Sequence, residues 1–399
     1  MKYMRSKRDV LLQHQRLAIA TAWLCWSLAQ ALAQPTNLVL RGAWPESSGG
    51  SALGVTVAGR YAYVANGARG LAIIDVSDPA HPAWVGGYQT SGSADRICLL
   101  GRYAYLSDRA ADTLQIIDVN DPANPVRVGG MERTFFFAAQ KTNNYLHLAA
   151  ANLKVLDVSN PASPMLAANI DIIGHAVDLQ IVGNHEYFAG EMWLSIYEFS
   201  NPINPTWVST FELMGSMDAN SLAVANGYAY LGDWMAGLHV IDVRDPAHPV
   251  RVGGQVLSDA IMDMEAVENA LFVAHSVGGV SVFEISDPAR PVWVAGYNTS
   301  GSAESLQVVG NYVFVADANA GLVILETQPL QRPRLALACA QTNALIRWPA
   351  SALGFQLESK ADLDNSNWIT VPQTPRFTGD VFSISVPMRT NQFFRLRRD

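Results

Sequence analysis

The amino-acid sequence predicts an all-β protein: a seven-bladed β-propeller with four-stranded blades, followed by a small β-sandwich domain. Three observations support this. A motif recurs at intervals of 39 to 44 residues, each copy contains four strand-like runs, and the 30 glycines and 20 prolines are spread along the chain. Four short strands per repeat of this length, separated by turn residues, are typical of a propeller blade. With 49% apolar and 16% charged residues, the chain can bury a large core.

The repeat is clearest in the stretch "LAIIDVSDPAHP", from Leu71 to Pro82. Six further copies follow, and the last of them is degenerate; they begin at Ile116, Val155, Ile196, Val240, Val282 and Ile324. Seven units therefore occupy the chain from about residue 38 to residue 327. A β-solenoid is the alternative repeat architecture, but its coils are usually shorter than this period.

The last unit supplies only three strand-like runs after its first turn, "SLQVVG", "YVFVAD" and "GLVILE". An isolated run near the N-terminus, "LVLRGAW", matches the strand that follows the proline turn in the other units. We predict that this run is the outer strand of the last blade. Pairing the two ends of the repeat region in one sheet would close the ring and leave no open strand edge there.

The motif itself combines aspartate, serine and histidine, which raises the question of a catalytic or metal-binding cluster. Asp75 ends a strand, and "SDPAHP" then has the composition of a turn, with Asp accepting backbone N–H groups and Pro fixing φ. His81 and His248 occupy a position that holds Asn, Ser or Arg in other copies. We therefore interpret the motif as a strand end followed by a corner.

Residues 1–33 have the features of an export signal. Five basic residues precede an apolar run, and "ALA" at 31–33 is a small-x-small cleavage site, so we expect the mature chain to begin near Gln34. An uncleaved membrane anchor is the alternative, but the apolar run barely reaches the length of a spanning helix. We predict a secreted, periplasmic or cell-surface protein without a transmembrane helix in the mature chain.

Charge and cysteine content exclude several classes of function. Without residues 1–33 the chain has 22 basic and 34 acidic residues, a formal charge of −12, which would repel nucleic acid. Only Cys98 and Cys339 remain, and they fall in different predicted domains, so we expect neither a disulfide framework nor a zinc site. We predict no metal, no cofactor and no defined catalytic residues, and we expect a monomer.

The run "GLAIIDVSDPAHPAWVGGY" and its copies resemble the LVIVD-repeat family, which includes exported and surface proteins of bacteria and archaea with propeller folds. The resemblance extends over about 290 residues. It implies a fold and a location rather than an activity, because propellers support many unrelated functions.

The segment 332–399 lies outside the repeat and contains strand-like runs of its own, such as "ALIRWP", "FQLESK" and "VFSISVP". It resembles the small fibronectin-like β-sandwich that ends many exported bacterial proteins. We therefore predict three regions: a signal peptide at 1–33, the propeller at 34–328, and the C-terminal sandwich at 332–399.

Candidate site residues follow from the topology. If "SLQVVG" is an innermost strand, the proline turns lie on one face, and the loops that enter the inner strands surround the channel on the opposite face. Glu265 stands out there, because its sequence counterparts are apolar, such as Val55 and Leu306. The polar residues predicted at the channel mouth are Asp95, Arg96, His175, Asp178, Asp218, Asn220, Asp263, Glu265 and Glu304.

Trp193 and Trp234 lie on loops of the same face in adjacent units, where they would either stack on a ligand or pack over their own blades. These residues favour a non-enzymatic platform that binds an extracellular protein or polar ligand. An extracellular lyase or hydrolase acting on a polar substrate such as a glycan, with His175 or Glu265 as acid or base, is the alternative. A purely structural envelope protein is the third hypothesis.

Overall fold

The computed structural model describes residues 36–45, 49–172, 175–190, 192–213, 219–235, 237–329, 336–340, 343–349, 355–360, 368–373, 375–378, 381–387 and 393–398. Throughout these ranges the regular elements are β-strands, and no helix in them is long and apolar enough to cross a membrane. Residues 1–33, the predicted export signal, lie outside the described residues. The chain divides into two compact units, Met1–Pro329 and Leu330–Asp399.

The first unit contains seven antiparallel sheets of four strands, which we number as blades 1 to 7. Blades 1 to 3 are formed by β2 (Gly54–Ala58), β3 (Tyr61–Ala65), β4 (Leu71–Asp75) and β5 (Ala83–Tyr88); β6 (Ala94–Leu100), β7 (Tyr103–Asp108), β8 (Thr113–Asp118) and β9 (Val126–Glu132); and β10 (Ala138–Thr142), β11 (Tyr145–Ala149), β12 (Leu153–Asp157) and β13 (Met165–Ile170).

Blades 4 to 6 repeat this arrangement, and blade 7 takes its outer strand from the N-terminal end of the unit. Their strands are β14 (Ala176–Val182), β15 (His185–Gly190), β16 (Trp193–Glu198) and β17 (Thr206–Glu212); β18 (Ala219–Ala225), β19 (Tyr228–Asp233), β20 (Gly237–Asp242) and β21 (Val250–Gln255); β22 (Asp263–Val267), β23 (Ala270–Ala274), β24 (Val280–Glu284) and β25 (Val292–Tyr297); and β26 (Ser305–Val309), β27 (Tyr312–Ala316), β28 (Leu322–Pro329) and β1 (Thr36–Trp44).

The ring closes as the sequence predicts. Strand β1 pairs with β28 in antiparallel register, with Thr36 opposite Pro329 and Trp44 opposite Leu322. The inner strand of each blade lies beside the inner strand of the next, including β26 beside β2. The seven-bladed propeller is thereby confirmed, and the pairing leaves no open strand edge at the junction between the two ends of the repeat region.

The core of the ring lies between blades rather than within one sheet. Buried apolar side chains form seven clusters, and each cluster joins two neighbouring blades. Between blades 1 and 2, for example, Tyr63 and Ile73 pack with Leu106 and Ile117. Because each sheet is covered on both faces by its neighbours, its middle strands read as continuous apolar runs, such as "YAYVA" and "LAIID".

The recurrent motif is a corner in the structure, as predicted. The Asp75 carboxylate accepts the Ser77 backbone N–H, and Asp78 accepts the Ala80 N–H, which forms an Asx turn. The exposed His81 ring lies 2.9 Å from the same Asp78 through its Nδ1. Equivalent aspartate-to-backbone bonds recur in later copies, at Asp118, Asp157 and Asp242. The motif therefore terminates a strand and orders the turn.

The same corner also joins neighbouring blades. The carbonyl of Pro122, in the corner of blade 2, lies so close to Gly86 on the outer strand of blade 1 that a Cβ at Gly86 would clash with it. Small residues occupy this position in every blade: Gly42, Gly86, Gly129, Ala168, Ser209, Gly253 and Ala295. The corner thus requires a small side chain on the preceding outer strand.

The second unit contains two further sheets. They are built from β29 (Ala336–Ala340), β30 (Asn343–Pro349), β34 (Val381–Pro387) and β33 (Arg376–Thr378), and from β32 (Ile369–Thr370), β31 (Phe355–Lys360) and β35 (Phe393–Arg398). Trp348 and Ile384 of the first sheet share a core cluster with Leu357 of the second. The all-β character of this segment agrees with the sequence, and the fibronectin-like assignment stays a prediction.

Candidate functional site

The inner strands of all seven blades surround a central channel with a cavity of about 460 Å³. The channel is lined mainly by polar side chains at the rim that faces away from the proline corners. Because successive side chains of a strand point to opposite sides, residues two positions apart on an inner strand point in the same direction. The residues that contribute polar side chains to the lining include Arg96, Gln140, Asp178, Gln180, Asn220, Asp263, Glu265, Glu304 and Gln307.

Strand register arranges these residues in two layers. The layer nearer the rim comprises Gly54, Arg96, Ala138, Asp178, Ser221, Asp263 and Ser305, and the deeper layer comprises Thr56, Cys98, Gln140, Gln180, Ala223, Glu265 and Gln307. Gly54 and Ser221 share the rim register without lining the channel. Each deeper residue stands two positions after its rim counterpart, opposite the second aromatic or histidine residue of the neighbouring strand.

Residues of the deeper layer connect four pairs of neighbouring blades. The Val57 N–H donates to Gln307 Oε1 at 2.6 Å, and the Ile181 N–H donates to Gln140 Oε1 at 2.6 Å. Val224 donates its N–H to Gln180 Oε1 in the same way. In blade 6 the acceptor is a carboxylate, since the Val308 N–H donates to Glu265 Oε2 at 2.7 Å. Four interfaces are therefore bridged by one type of contact.

The rim layer repeats this arrangement with aspartates. Asp178 accepts the N–H groups of Leu179 and Leu222, both at 2.7 Å. Asp263 accepts the Met264 N–H at 2.8 Å and, from blade 7, the Leu306 N–H at 2.9 Å and the Ser305 hydroxyl at 2.8 Å. In both cases the carboxylate bonds to its own strand and to the following inner strand.

Arg96 is the corresponding donor in blade 2. Its Nε donates to the Phe137 carbonyl of blade 3 at 3.1 Å, and its guanidinium also donates to the Leu53 carbonyl of blade 1 at 3.4 Å. An inner strand has a partner on one side only, so backbone N–H and C=O groups on its free side need other partners. The polar side chains of the channel provide them.

Three carboxyl groups of the channel, those of Asp178, Asp263 and Glu265, bind protons more tightly than ordinary carboxylates. Burial, together with repulsion by Asp263, raises the pKa of Asp178 to about 7. Burial raises the pKa of Glu265 to about 7, although its bond from Val308 opposes that change, and burial also raises the pKa of Asp263. Asp178, Asp263 and Glu265 therefore interact electrostatically as one group of carboxyls.

The structure corrects the sequence alignment at Glu265. The sequence comparison matched it with Val55 and Leu306, whereas the strand register places it with Gln180 and Gln307, one residue further along. Met264 fills the buried apolar position instead. The misalignment arose because blade 6 has Ala270 where five other blades have tyrosine and blade 4 has His185. Glu265 is thus a normal channel-lining residue rather than a carboxylate in an apolar position.

Not every predicted residue reaches the channel. Glu304 does, and the Ser302 hydroxyl donates to its Oε1 at 2.7 Å. Asp95 is not among the residues that line the channel; its side chain is buried, and it is the extra residue of a β-bulge between Ala94 and Arg96. Asp218 lies outside the described residues.

His175 and the two tryptophans lie away from the channel. His175 and Trp193 share a narrow crevice at the end of blade 4 with Phe188, so Trp193 packs over its own blade. Trp234 is 50% exposed at a loop tip of blade 5. The structure therefore does not bring His175 next to Glu265. The two tryptophans also differ, because Trp193 packs over its own blade whereas Trp234 is exposed to solvent.

Metal and nucleophile chemistry find no support in the described ranges. They hold no cluster of three or more His, Cys, Asp or Glu side chains suited to a metal ion. Cys98 faces the channel, but burial raises the pKa of its thiol to about 12, so the thiolate is not formed near neutral pH. The side chains present can accept and donate hydrogen bonds and hold protons.

Three channel residues were missed by the sequence analysis: Gln140, Gln180 and Gln307. The side-chain oxygen of each glutamine accepts a backbone N–H of the following blade and so bridges two blades. A signal was present, because a glutamine stands at the same place in "AAQKT", "VDLQIV" and "SLQVV". A polar residue recurring at one register position of an otherwise apolar strand indicates a shared partner.

With the geometry in place, comparison with known proteins identifies the repeat. Six stretches match the LVIVD repeat: residues 49–90, 91–132, 142–172, 216–254, 260–299 and 300–326. Together they cover more than half of the chain. The chain belongs to the LVIVD-repeat family. The matched stretches include most of six blades, and most of blade 4 of this LVIVD-repeat protein falls between two of them.

Solved structures share the propeller fold with this LVIVD-repeat protein at low identity. The WD40 propeller domain of Doa1 aligns with a TM-score of 0.60 at 11% identity, covering 73% of this chain and 97% of that one. The WD40 repeats of RRP9 align at 0.59 and 9% identity, covering 74% and 99%, and Sqt1 of Saccharomyces cerevisiae aligns at 0.56 and 9%, covering 73% and 100%. No curated protein matches the sequence.

Proposed function

We propose that this chain is an exported, non-enzymatic β-propeller that serves as an interaction platform for an extracellular protein or polar ligand, with a fibronectin-like C-terminal accessory unit. The observation that carries the proposal is the engagement of the channel carboxylates. Asp178, Asp263 and Glu265 each accept an N–H group from the following blade, so at least one oxygen of each carboxyl group is engaged in joining two blades. A general acid or base must instead be free to face its substrate.

Export is supported by the relation between the leader and the fold. Strand β1 begins at Thr36, just after the expected mature start near Gln34. Cleavage at that point would remove the basic and apolar leader and leave the outer strand of blade 7 intact, because β1 pairs with β28 from Thr36 onward. The predicted processing and the closure of the ring are thus compatible.

A lyase or hydrolase acting on a polar substrate such as a glycan is the second candidate. The observation that favours it is the raised pKa of about 7 for both Asp178 and Glu265, since acid–base catalysts work best when their pKa lies near the working pH. Under this hypothesis Glu265→Gln abolishes turnover of a glycan panel while the melting temperature stays unchanged. Under the platform hypothesis no turnover is found in either protein.

Site-specific photo-crosslinking in the producing cells tests the platform hypothesis. A photoreactive amino acid replaces Met235 or Asn319 on the rim face, and His81 or Asn124 on the corner face as matched exposed controls. We expect adducts from the rim positions only. Adducts confined to the corner face, or none at any position, would contradict the proposal.

Cell fractionation tests the export hypothesis separately. We expect the protein outside the cytoplasm, with an N-terminus near Gln34 by peptide sequencing. A cytoplasmic protein that retains residues 1–33 would contradict export and would leave the crosslinking result to be judged by itself.

A further inference from the structure

The loop tips of the rim face differ between the two sides of the ring. These tips connect the second and third strands of each blade. In blades 1, 2 and 7 the exposed tip residues include Arg69, Arg109 and Asn319. In blades 4, 5 and 6 they are large and apolar: Met192, Trp234, Met235 and Val277. The repeat therefore presents polar tips on one side and apolar tips on the other.

Four exposed residues form what we call the apolar sector: Trp234, Met235, Val256 and Val277. Trp234 and Met235 lie on a loop of blade 5, Val256 on the loop that enters blade 6, and Val277 on a loop of blade 6. These residues are 50%, 79%, 86% and 63% exposed, respectively. Single exposed apolar residues are ordinary on a protein surface, but several on adjoining loops mark an interaction site.

Backbone contacts show that the three loops of the apolar sector adjoin one another. Gly237, which ends the Trp234 loop, approaches Leu257 so closely that a Cβ at Gly237 would lie 2.6 Å from the Leu257 nitrogen. The Ile261 N–H donates to the Asp233 carbonyl at 3.4 Å. A Cβ at Gly278 would lie 2.8 Å from Asp259 Oδ2. The loops around 234, 257 and 277 are thus neighbours.

Negative charge borders the apolar sector. Asp259 stands between its loops, partly exposed, with Oδ2 at 3.8 Å from His275 Nδ1. The blade 6 entry loop then leads to the channel mouth, where the carboxyl groups of Asp178, Asp263 and Glu265, whose pKa values burial raises, gain negative charge when a cation lies beside them. Arg96 is the one basic residue among the channel-lining residues described. A partner therefore needs apolar side chains next to positive charge.

We propose that the apolar sector binds a protein segment in which aliphatic or aromatic side chains alternate with lysine or arginine. The proposal rests on the platform function and names the class of partner. Apolar anchors would cover Trp234 and Met235, and a basic side chain would face Asp259 and the channel mouth. An anionic membrane is disfavoured as the occupant because the whole chain has a formal charge of −8.

Fluorescence anisotropy with a defined probe tests this inference. The probe is a labelled synthetic peptide of about 12 residues that alternates leucine with lysine, and two control peptides replace lysine by glutamate or leucine by serine. We expect the full chain to bind only the leucine–lysine peptide. Binding should weaken steeply between about 50 and 500 mM salt, because charge attraction contributes to it.

Matched variants locate the binding surface. Trp234→Ala with Met235→Ser should raise the Kd of the leucine–lysine peptide by about tenfold or more. The control is Trp84→Ala with Met165→Ser, the same changes at positions of the outer strands that are 54% and 62% exposed, and it should change the Kd less than about twofold. Asp259→Asn should weaken binding and reduce its dependence on salt.

Three outcomes would overturn the inference: no binding of the leucine–lysine peptide, equal loss in the control variant, or binding of the glutamate peptide. Binding to neutral phosphatidylcholine vesicles that is lost in the Trp234 variant would assign the sector to a membrane instead. Rim crosslinks at Asn319 without peptide binding would refute this surface and leave the platform function standing.

Discussion

At the scale of single residues, the channel carboxylates act first as bridges between blades. Glu265 shares its register position with three glutamines, and all four accept an N–H group of the following inner strand. The common requirement is a side-chain oxygen at a fixed height in the channel, and a negative charge is not part of it. The side-chain oxygen of Glu265 therefore has a structural role that does not depend on its negative charge.

This shared requirement predicts how substitutions of Glu265 behave. At neutral pH, Glu265→Gln should not lower the free energy of unfolding, because Gln Oε1 can accept the Val308 N–H and carries no buried charge. Glu265→Ala removes the acceptor and should cost about 1 kcal/mol, with water in the channel limiting the loss. Chemical denaturation of both variants provides the measurement. A Gln variant as unstable as the Ala variant would show that the charge itself matters.

The raised carboxyl pKa values predict how stability depends on pH. An unfolded aspartate has a pKa near 4, whereas folded Asp178 has a pKa of about 7, so the folded state holds this proton more tightly. The stabilisation is complete below about pH 4 and is lost as the pH rises through about 7. The melting temperature should therefore fall between about pH 5 and pH 8.

Two variants separate this effect from others. Asp178→Asn should reduce the pH dependence, because it removes one of the channel carboxyl groups whose pKa is raised, while those of Glu265 and Asp263 remain. Asp75→Asn should not, because the hydrogen bond from Arg60 lowers the pKa of Asp75 to about 2, which is outside the range measured. A steeper fall in the Asp178 variant than in the parent protein would refute the assignment.

At the scale of elements, the proline corner is a joint between blades as well as a turn. The corner carbonyls press against the outer strand of the preceding blade, where only small residues stand. In blade 4 the small residue is Ser209, whose hydroxyl donates to the Pro246 carbonyl at 2.5 Å. Sequence period and packing are connected here, because each copy of the motif must meet a small residue about 36 positions earlier.

A larger side chain at this joint should destabilise the ring. We expect Gly86→Val to lower the free energy of unfolding by about 1–3 kcal/mol, since its Cβ would meet the Pro122 carbonyl. Ala295→Ser is the matched control, because blade 4 already holds serine at the equivalent position. Thermal unfolding measures both. A Val variant as stable as the parent would show that the corner can move aside.

At the scale of the whole molecule, stability depends on joining distant parts of the chain. Strand β1 and strand β28 are separated by almost the entire first unit, yet they form one sheet. Each core cluster lies between two blades, so a blade at an open end would lose one covering neighbour. Closure therefore protects an edge and two apolar faces together.

Truncation at the N-terminus tests the importance of closure. A chain starting at Gln34 keeps β1 and should fold with an unchanged melting temperature. A chain starting at Gly49 lacks β1, exposes the edge of β28, and should melt at a lower temperature or associate through that edge. Calorimetry and size-exclusion chromatography measure these outcomes. Equal stability of the two chains would mean that blade 7 does not need its fourth strand.

The sequence by itself determined the all-β class, the seven repeats, the ring closure and the role of the "DVSDPAHP" stretch. These follow from local properties, because turn residues and strand periods recur and the same pattern must form the same element each time. The order of strands within a blade followed from the same pattern. The predictions about export and about the C-terminal sandwich rest on the sequence alone.

Only the tertiary structure decided which rim residues meet. Asp95, at a β-bulge of its inner strand, is buried outside the channel lining, and the strand register places Glu265 in line with the glutamines. The tertiary structure also brings the loops of Trp234, Val256 and Val277 together. A one-residue shift along a strand reverses the side that a side chain faces, and contacts between loops of different blades depend on ring closure, so neither can be read from local pattern.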